Sequence, residues 1–141
     1  MSRPVARPRI RAVADTHAAI WYLFADPRLS PDAYTFMTAV DAGGDRIALS
    51  SITLVEVVYL SEKGRIHATT FGGMRGELDR PDPVFVEVVV DVQVAQAMSL
   101  IPRREVPDMP DRIIAATALH LQVPVISRDG KIRLSSVPTI W

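Results

Sequence analysis

Short runs of β-branched and apolar residues alternate with longer helical segments along almost the whole chain. Parallel strands need a crossover connection, and a helix usually forms it. The alternation therefore predicts an α/β fold, in which helices flank a central, mostly parallel sheet. The strand-like runs are residues 10–14, 47–50, 84–90, 123–127 and 138–141.

Helix-forming segments lie between these runs, and glycine and proline mark most of their ends. Gly43-Gly44 and Gly64 are expected stops, while Pro110 falls in a first helical turn, where its missing N–H costs nothing. We expect Thr16 to N-cap the first helix. The predicted helices cover about residues 16–24, 32–42, 53–63, 67–78 and 92–100, and the segment DRIIAATALHLQ.

The length and composition fit a single globular domain. The chain has 141 residues, of which 48% are hydrophobic and 23% charged, so it can bury a sizeable core. Residues 1–9 are rich in proline and arginine and are predicted to form a flexible tail. Residues 10–141 are then expected to fold as one domain.

The charge balance narrows the possible functions. With 16 basic and 16 acidic residues the chain is neutral, which argues against a bulk electrostatic binder of nucleic acid. An enzyme that cuts nucleic acid is still possible, because a bound cation would locally offset acidic residues. The chain has no cysteine, which excludes disulfides, thiolate nucleophiles and Cys-based zinc sites.

The start of the chain has basic residues before an apolar stretch, as a signal peptide does. Asp15 and His17 interrupt that stretch, and no small-residue cleavage site follows cleanly. No apolar run approaches the roughly 18 residues of a membrane span. We therefore expect a cytoplasmic protein with no membrane partner.

Four acidic residues are predicted to lie at strand ends or in first helical turns: Asp15, Glu56, Asp111 and Asp129. Sites in parallel α/β folds form at the carboxyl ends of the strands, so these distant side chains can meet in one cleft. Carboxylates gathered there would repel one another unless a hard cation such as Mg²⁺ lay between them. The pattern points to metal-assisted phosphodiester chemistry.

Local explanations exist for the same residues. Thr53 and Glu56 match the S/T-x-x-E capping box, and for Glu56 alone that interpretation would be favoured. Asp108 could be the N-cap of the next helix. Asp129 precedes a glycine, as in an ordinary turn, and Asp15 could hydrogen-bond its own loop.

The faces of the predicted helices weaken two of these explanations. Asp111 could simply oppose a helix dipole, but it shares a face with Ile114, Ala115 and Ala118. Glu56 shares a face with apolar residues: Ile52, Tyr59 and Leu60. An acidic residue seldom lies at the start of the apolar face of a helix unless another group there pairs with its charge.

Four segments follow one another in a specific order: VADTHAAIWYL, SSITLVEVVYL, DMPDRIIAATALHLQVPVISRDGKIR and VPTIW. In this order and spacing they resemble PIN-domain proteins, and within that family the VapC ribonuclease toxins of bacterial toxin–antitoxin pairs. The resemblance covers residues 10–141. It implies a three-layer α/β/α fold with a central, mostly parallel sheet.

The resemblance also implies a role for each acid. In the family the matching acids ring one or two Mg²⁺ or Mn²⁺ ions that activate water for attack on an RNA phosphodiester. Asp15, Asp111 and Asp129 are the expected metal ligands, while Glu56 is either a ligand or a water-orienting base. The possible supporting residues are Asp108, Ser127 and Thr16.

Oxygen-only ligands suit Mg²⁺ or Mn²⁺ better than zinc, in agreement with that implication. Arg112 and Arg128 flank the acids and could contact phosphate or form ordinary ion pairs. Trp21 and Trp141 could stack on RNA bases, but large aromatic residues in a small domain are mostly core.

The resulting hypothesis is a Mg²⁺-dependent endoribonuclease that acts as a toxin on tRNA or rRNA. The resemblance implies a VapB-type antitoxin and a homodimer, with the helices of residues 53–80 as the antitoxin-binding groove. One alternative is a non-catalytic PIN-like scaffold that grips RNA or protein without cutting. A structure-specific DNA nuclease on the same fold ranks last, because the chain lacks insertions to enclose DNA.

Overall fold

A computed structural model describes residues 7–133 and 135–141. Within these residues, parallel strands and helices alternate along most of the chain. The strands are β1 (Ile10–Ala14), β2 (Arg46–Ser50), β3 (Phe85–Val88), β4 (Val125–Ile126) and β5 (Thr139–Ile140). The helices are α1 (Thr16–Leu23), α2 (Pro31–Ala42), α3 (Ser51–Glu62), α4 (Thr70–Leu78), α5 (Val92–Met98), α6 (Met109–Leu121) and α7 (Gly130–Arg133).

The strands form one five-stranded sheet in the order β3-β2-β1-β4-β5, and every pair in it is parallel. β1 lies at the centre, where Val13 pairs with Ala48 of β2 on one side and Val125 of β4 on the other. Each chain connection is a crossover with helical structure, as parallel pairing requires. The predicted parallel α/β architecture is confirmed.

Side chains of the central strand alternate between two core layers, because successive residues of a strand point to opposite faces. Ala12 and Ala14 pack into a layer with residues of α1, α2 and α4, including Trp21 and Met37. Val13 packs into the opposite layer, which is built largely from α5 and α6. Helices therefore cover both faces of the sheet, which gives the expected three-layer α/β/α arrangement.

Two predicted helix starts are wrong. Asp15, not Thr16, caps α1: its carboxylate accepts the Ala18 N–H, and Thr16 is the first helical residue. Ser50, not Thr53, caps α3, so Thr53 lies buried inside the helix. In both segments adjacent residues can all serve as caps. Tertiary packing decides between them, and local sequence does not show it.

The remaining differences concern element ends. Helix α4 begins at Thr70, three residues later than predicted, and the Asp129-Gly130 turn opens the short helix α7. Residues 1–6 of the predicted tail lie outside the described residues. The backbone of Arg9 is bonded at both ends, since its N–H donates to Asp45 and its carbonyl accepts from Arg46. Within the described part of the chain, no helix is long and apolar enough to cross a membrane.

Candidate metal centre

The carboxyl ends of β1 and β4 lie side by side at the point where the strand order switches direction. Ligands of open α/β sheets bind at such a switch point. A cleft of about 370 Å³ opens here. Its lining residues are Asp15, Thr16, His17, Trp21, Glu56, Asp108, Asp111, Arg128 and Asp129. The fold thus brings together the four acids singled out in the sequence, and adds Asp108.

Asp15 joins the end of β1 to the start of α1. Its Oδ1 accepts the Ala18 N–H at 2.8 Å, which caps the helix. Burial raises the pKa of Asp15, and the nearby charge of Asp129 adds to that rise. Hydrogen bonds from the Ser127 hydroxyl and the Ala18 N–H act in the opposite direction. The expected local hydrogen bond and a place in the cleft therefore coexist in one side chain.

Asp108 and Asp111 enter the cleft from the N-terminus of α6. Asp108 is the N-cap, with its Oδ2 accepting the Asp111 N–H at 3.1 Å. Ile114, Ala115 and Ala118 are fully buried, so the face of α6 that Asp111 heads is the interior one, as predicted. Burial, followed by the negative charges of the other cleft carboxylates, raises the pKa of Asp111 to about 7.

Glu56 is held by a threonine from another helix rather than by a capping box. The Thr16 hydroxyl donates to Glu56 Oε1 at 2.6 Å and lies 3.1 Å from the Thr53 hydroxyl. Burial raises the pKa of Glu56, while the Thr16 hydrogen bond counteracts that rise. Tyr59 is 55% exposed, so the apolar face expected beside Glu56 is only partly interior; Val57 is its buried neighbour.

Asp129 lies in the loop after β4. Its N–H donates to the Ser127 hydroxyl at 2.9 Å, which supports the expectation that Ser127 organises this loop. Asp129 Oδ1 accepts the N–H groups of Lys131 and Ile132 at 2.8 and 3.2 Å, and so caps the short helix α7. The turn predicted from Asp129-Gly130 is thus also the means by which this carboxylate is oriented.

The cleft carries an unbalanced negative charge. Among residues 7–133 and 135–141, none of its five carboxylates forms an ion pair with an arginine, lysine or histidine. Five carboxylates that share a cleft with Arg128 but form no ion pair among the described residues suit a hard divalent ion. In the same residues, no group of three acids or histidines forms a ready-made metal cage. Mg²⁺ does not require one, because it usually keeps several waters and takes only one or two protein carboxylates.

Trp21, His17 and Arg128 line the cleft, whereas Trp141 and Arg28 pack against Trp21 and are not among the lining residues. Trp21 is 3% exposed and packs against Trp141 and His17, with ring centroids 6.0 and 5.6 Å apart. The guanidinium carbons of Arg28 and Arg128 lie 5.1 and 4.7 Å from the centre of the Trp21 ring. Trp21 is thus a core residue with little surface for an RNA base, as the sequence indicated for large aromatic residues.

The two arginines that flank the acids in sequence have different environments. Arg112 Nε and Nη2 donate to the carbonyls of Ile101 and Met98 at 3.0 and 2.9 Å, and tie the loop before α6 to α5. Arg128 instead lines the cleft. Arg112 is not among the residues that line the cleft, and two of its donors hold the loop before α6, so a structural role fits it better than phosphate contact.

A comparison with protein families matches residues 12–137 to the PIN domain. The chain belongs to the PIN-domain family. The match includes β2, β3, β4 and most of β1, and it contains all five acids of the cleft. A comparison with curated proteins gives no significant match.

Several solved structures are similar to this PIN domain, and one of them is a toxin–antitoxin complex. A chain of the VapBC2 complex of Rickettsia felis, bound to a promoter DNA fragment, has a TM-score of 0.69 and 15% identity. The similarity covers 92% of this chain and 97% of that one. A toxin–antitoxin complex from Klebsiella pneumoniae has a TM-score of 0.63 and 26% sequence identity, and the similarity covers 92% of this chain and 96% of that one. FitAcB from Neisseria gonorrhoeae has a TM-score of 0.62 and 20% sequence identity, and the similarity covers 91% of this chain and 95% of that one.

Sequence reasoning singled out acids that the fold brings into one cleft, but it missed the contacts around Trp21. The contact between Arg128 and Trp21 joins residues that are far apart in sequence. His17 also lines the cleft, although its spacing from other histidines gave no metal-site signal. One signal was available: Arg128 stands between Ser127 and Asp129, so the loop that presents Asp129 also presents its guanidinium.

Proposed function

We propose that this PIN domain is a metal-dependent endoribonuclease that hydrolyses RNA phosphodiester bonds as the toxin of a toxin–antitoxin pair. The observation that carries the proposal is the meeting of five carboxylates, without a cationic partner among the described residues, in one cleft at the switch point of the sheet. Such a cleft would repel a phosphodiester on its own. It becomes a substrate site when a divalent cation binds.

Asp15, Asp111 and Asp129 would hold Mg²⁺ or Mn²⁺. The ion would supply an activated water nucleophile and offset the charge of the reacting phosphate. Asp111 is the strongest candidate of the three, because no hydrogen bond from the described residues stabilises its charge and four carboxylates oppose it. Asp111 would be ionised at neutral pH once a bound cation offset the charge of its neighbours.

Glu56 would act on the water side of the reaction, as a base or as a ligand. The 2.6 Å hydrogen bond from Thr16 fixes one of its oxygens and leaves the other for a water or an ion. Burial raises the pKa of Glu56, the Thr16 hydrogen bond acts against that rise, and the charge of Asp108 adds to it; a raised pKa favours the role of a base. Asp108 and Ser127 would position Asp111 and Asp129 through the backbone bonds already described.

The proposed partners are an antitoxin of the VapB type and a second copy of this chain. One of the similar solved structures, 26% identical to this chain, is a toxin–antitoxin complex. Helix α3 exposes three apolar side chains on its outer face: Val55, Val58 and Tyr59 are 61%, 41% and 55% exposed. Exposed apolar patches rimmed by polar residues mark interaction sites, and this one lies in the helices that the sequence assigned to the antitoxin. The RNA would be a tRNA or rRNA in the cytoplasm.

The experiment replaces Asp15 by asparagine. An asparagine oxygen can still accept the Ala18 N–H, so Asp15→Asn keeps the cap of α1 while it removes the charge. We expect RNA cleavage with Mg²⁺ or Mn²⁺ to fall more than roughly 100-fold and growth inhibition on expression to be lost. Mn²⁺ binding measured by calorimetry should weaken in parallel.

Asp91→Asn is the matched control. Asp91 caps α5 through a 3.1 Å bond from the Val94 N–H, but it is exposed and outside the cleft, so this variant should cleave RNA like the wild type. If Asp15→Asn still cleaves RNA and arrests growth, the assignment of the metal centre is wrong. If the wild type binds neither Mn²⁺ nor cleaves any RNA, the non-catalytic scaffold is the correct alternative.

A further inference from the structure

We propose that Arg128 binds a phosphate of the RNA strand next to the one that is cleaved. The inference rests on the proposed function, and it assigns a substrate-binding role to a residue at the rim of the carboxylate cleft. Arg128 lies between Ser127 and Asp129, and its side chain lines the same cleft as the acids. It is therefore placed where the strand must pass if its scissile phosphate lies at the carboxylates.

The Arg128 guanidinium is held in place by an aromatic ring. Its central carbon lies 4.7 Å from the centre of the Trp21 ring, within the range of a cation–π contact. Trp21 is itself immobilised, because it is 3% exposed and packs against Trp141. A cation–π contact does not require a hydrogen bond from the guanidinium, so the N–H groups of Arg128 stay available for a ligand.

Arg128 forms no ion pair among the described residues, although five carboxylates line the same cleft. Arg28 provides an internal comparison, because it stacks on the same indole at 5.1 Å. Its Nη2 and Nε donate to the Asp26 carboxylate at 2.7 and 3.1 Å, so its charge is paired and that edge of its guanidinium is occupied. Arg128 has no such ion pair among the described residues, so of these two guanidiniums it is the one placed to bind an external anion.

The chemistry of the site favours phosphate as that anion. A planar guanidinium matches two oxygens of a phosphate with parallel hydrogen bonds. An RNA strand carries a phosphate at every nucleotide, so one bound at the carboxylates through a cation has a neighbour within reach of the rim. A pre-positioned arginine there would attract the strand to a cleft whose own carboxylates repel it.

The test measures RNA affinity and its salt dependence. A short fluorescein-labelled RNA pool of randomised sequence is titrated with each protein in Ca²⁺, with a gel to verify that the RNA is intact. We expect Arg128→Ala to weaken binding roughly tenfold, the loss of one charge-assisted contact. The slope of log affinity against log salt should become shallower by about 0.7, the value for one single-strand phosphate. Arg128→Lys should restore the slope, because it keeps the charge, and part of the affinity.

Arg28→Ala is the matched control, since it removes the other cation from the same indole. It should leave RNA affinity and salt slope within about twofold of the wild type, and its melting temperature should match that of Arg128→Ala. Equal losses in both variants would overturn the proposal and assign the effect to Trp21 packing. Arg128→Ala that retains both affinity and slope would also overturn it and leave a protein anion, such as an acidic partner side chain, as the ligand.

Two further readouts separate this proposal from the proposed function. Mn²⁺ affinity, measured by calorimetry, should be unchanged or higher in Arg128→Ala, because a cation near the carboxylates has been removed. A fall in Mn²⁺ affinity would mean that the substitution damages the metal centre, which overturns the role of Arg128. If the wild type cleaves RNA and Arg128→Ala cleaves it equally well at limiting RNA, only this inference fails. If the wild type neither binds nor cleaves RNA, both fail.

Discussion

Three of the five cleft carboxylates serve two purposes at once. Asp15, Asp108 and Asp129 each use one oxygen to cap a helix, with N–H···O distances between 2.8 and 3.2 Å. Capping fixes the side-chain rotamer, and the helix N-terminus favours the negative charge. Glu56 and Asp111 cap nothing, and their pKa values are raised mainly by burial. A local explanation for an acid therefore does not exclude a place in the site.

Thr16 is the residue on which the geometry of Glu56 depends. Thr16→Val keeps the shape of the side chain but removes the donor 2.6 Å from Glu56 Oε1, as well as the partner of the Thr53 hydroxyl. We expect the free energy of unfolding to fall by about 1–3 kcal/mol, the usual cost of a polar group left unpaired in a partly buried position. Urea unfolding at neutral pH measures it, and Mn²⁺ affinity should fall as well.

Thr117→Val is the control for that loss. Thr117 is also fully buried, and its hydroxyl donates to the Ile113 carbonyl at 2.8 Å. That carbonyl keeps its helical N–H partner after the substitution, so we expect a change within about 0.5 kcal/mol. Equal losses for Thr16→Val and Thr117→Val would show that the Glu56 hydrogen bond contributes nothing beyond an ordinary buried hydroxyl.

At the level of elements, the sequence predicted the type and order of nearly all helices and strands, because the hydrophobic periods and the glycine stops are local signals. Helix α3 shows where local signals end. The segment from Ser50 to Thr53 offers three hydroxyl residues, each able to cap a helix. The contact between Thr53 and Thr16, 37 residues apart, places Thr53 inside the helix, and no local pattern contains it. Strands β4 and β5, with two residues each, are similarly defined by their neighbours in the sheet.

Helix α4 is the element whose composition most opposes its structure, since glycine is unfavourable inside a helix. A Cβ added at Gly72 would meet nothing within 4 Å, whereas one at Gly73 would lie 3.0 Å from Phe24 Cζ. We therefore expect Gly72→Ala to raise the free energy of unfolding by about 0.5–1 kcal/mol. Gly73→Ala should gain less, because the Phe24 ring must move.

Thermal and urea unfolding of the two variants check this prediction. They have the same composition and differ by one position along α4, so helix propensity alone would make them equally stable. A gain for Gly73→Ala as large as that for Gly72→Ala would mean that the contact with Phe24, a side chain 49% exposed, places no constraint on the helix.

At the level of the whole molecule, the site is a consequence of strand order. With β1 between β2 and β4, the loops that carry Asp15 and Asp129 become neighbours although they are far apart in sequence. Alternation of strands and helices predicted that such loops would share an edge, which is why the acids could be proposed as a set. It could not predict which basic side chains lie at the cleft, because that depends on contacts such as that of Arg128 with Trp21, which are far apart in sequence. The uncompensated charge is thus a property of the complete fold.

That charge should make the metal-free protein lose stability as pH rises. Asp111 has a pKa of about 7 in the folded chain against 3.8 for an unperturbed carboxyl, so the folded state binds the extra proton between these values. Stability from this group is therefore complete below about pH 4 and is lost as pH rises through about 7. Because Asp111 is only partly buried, solvent screening limits the loss to roughly 1–2 kcal/mol.

Asp111→Asn isolates the effect. In EDTA the variant and the wild type should differ least near pH 4, and the variant should become the more stable of the two, by roughly 1–2 kcal/mol, above pH 7. Urea unfolding across this range measures the difference, which cancels the contributions of titrating groups that do not interact with Asp111 and reports Asp111 together with its coupling to the other cleft carboxylates. Saturating Mg²⁺ at neutral pH should then stabilise the wild type more than the variant, since a ligand that binds only the folded state adds its binding free energy to stability. A difference that does not change with pH would mean that the carboxylates are too well solvated to repel one another, and with it the physical reason for a cation in this cleft would disappear.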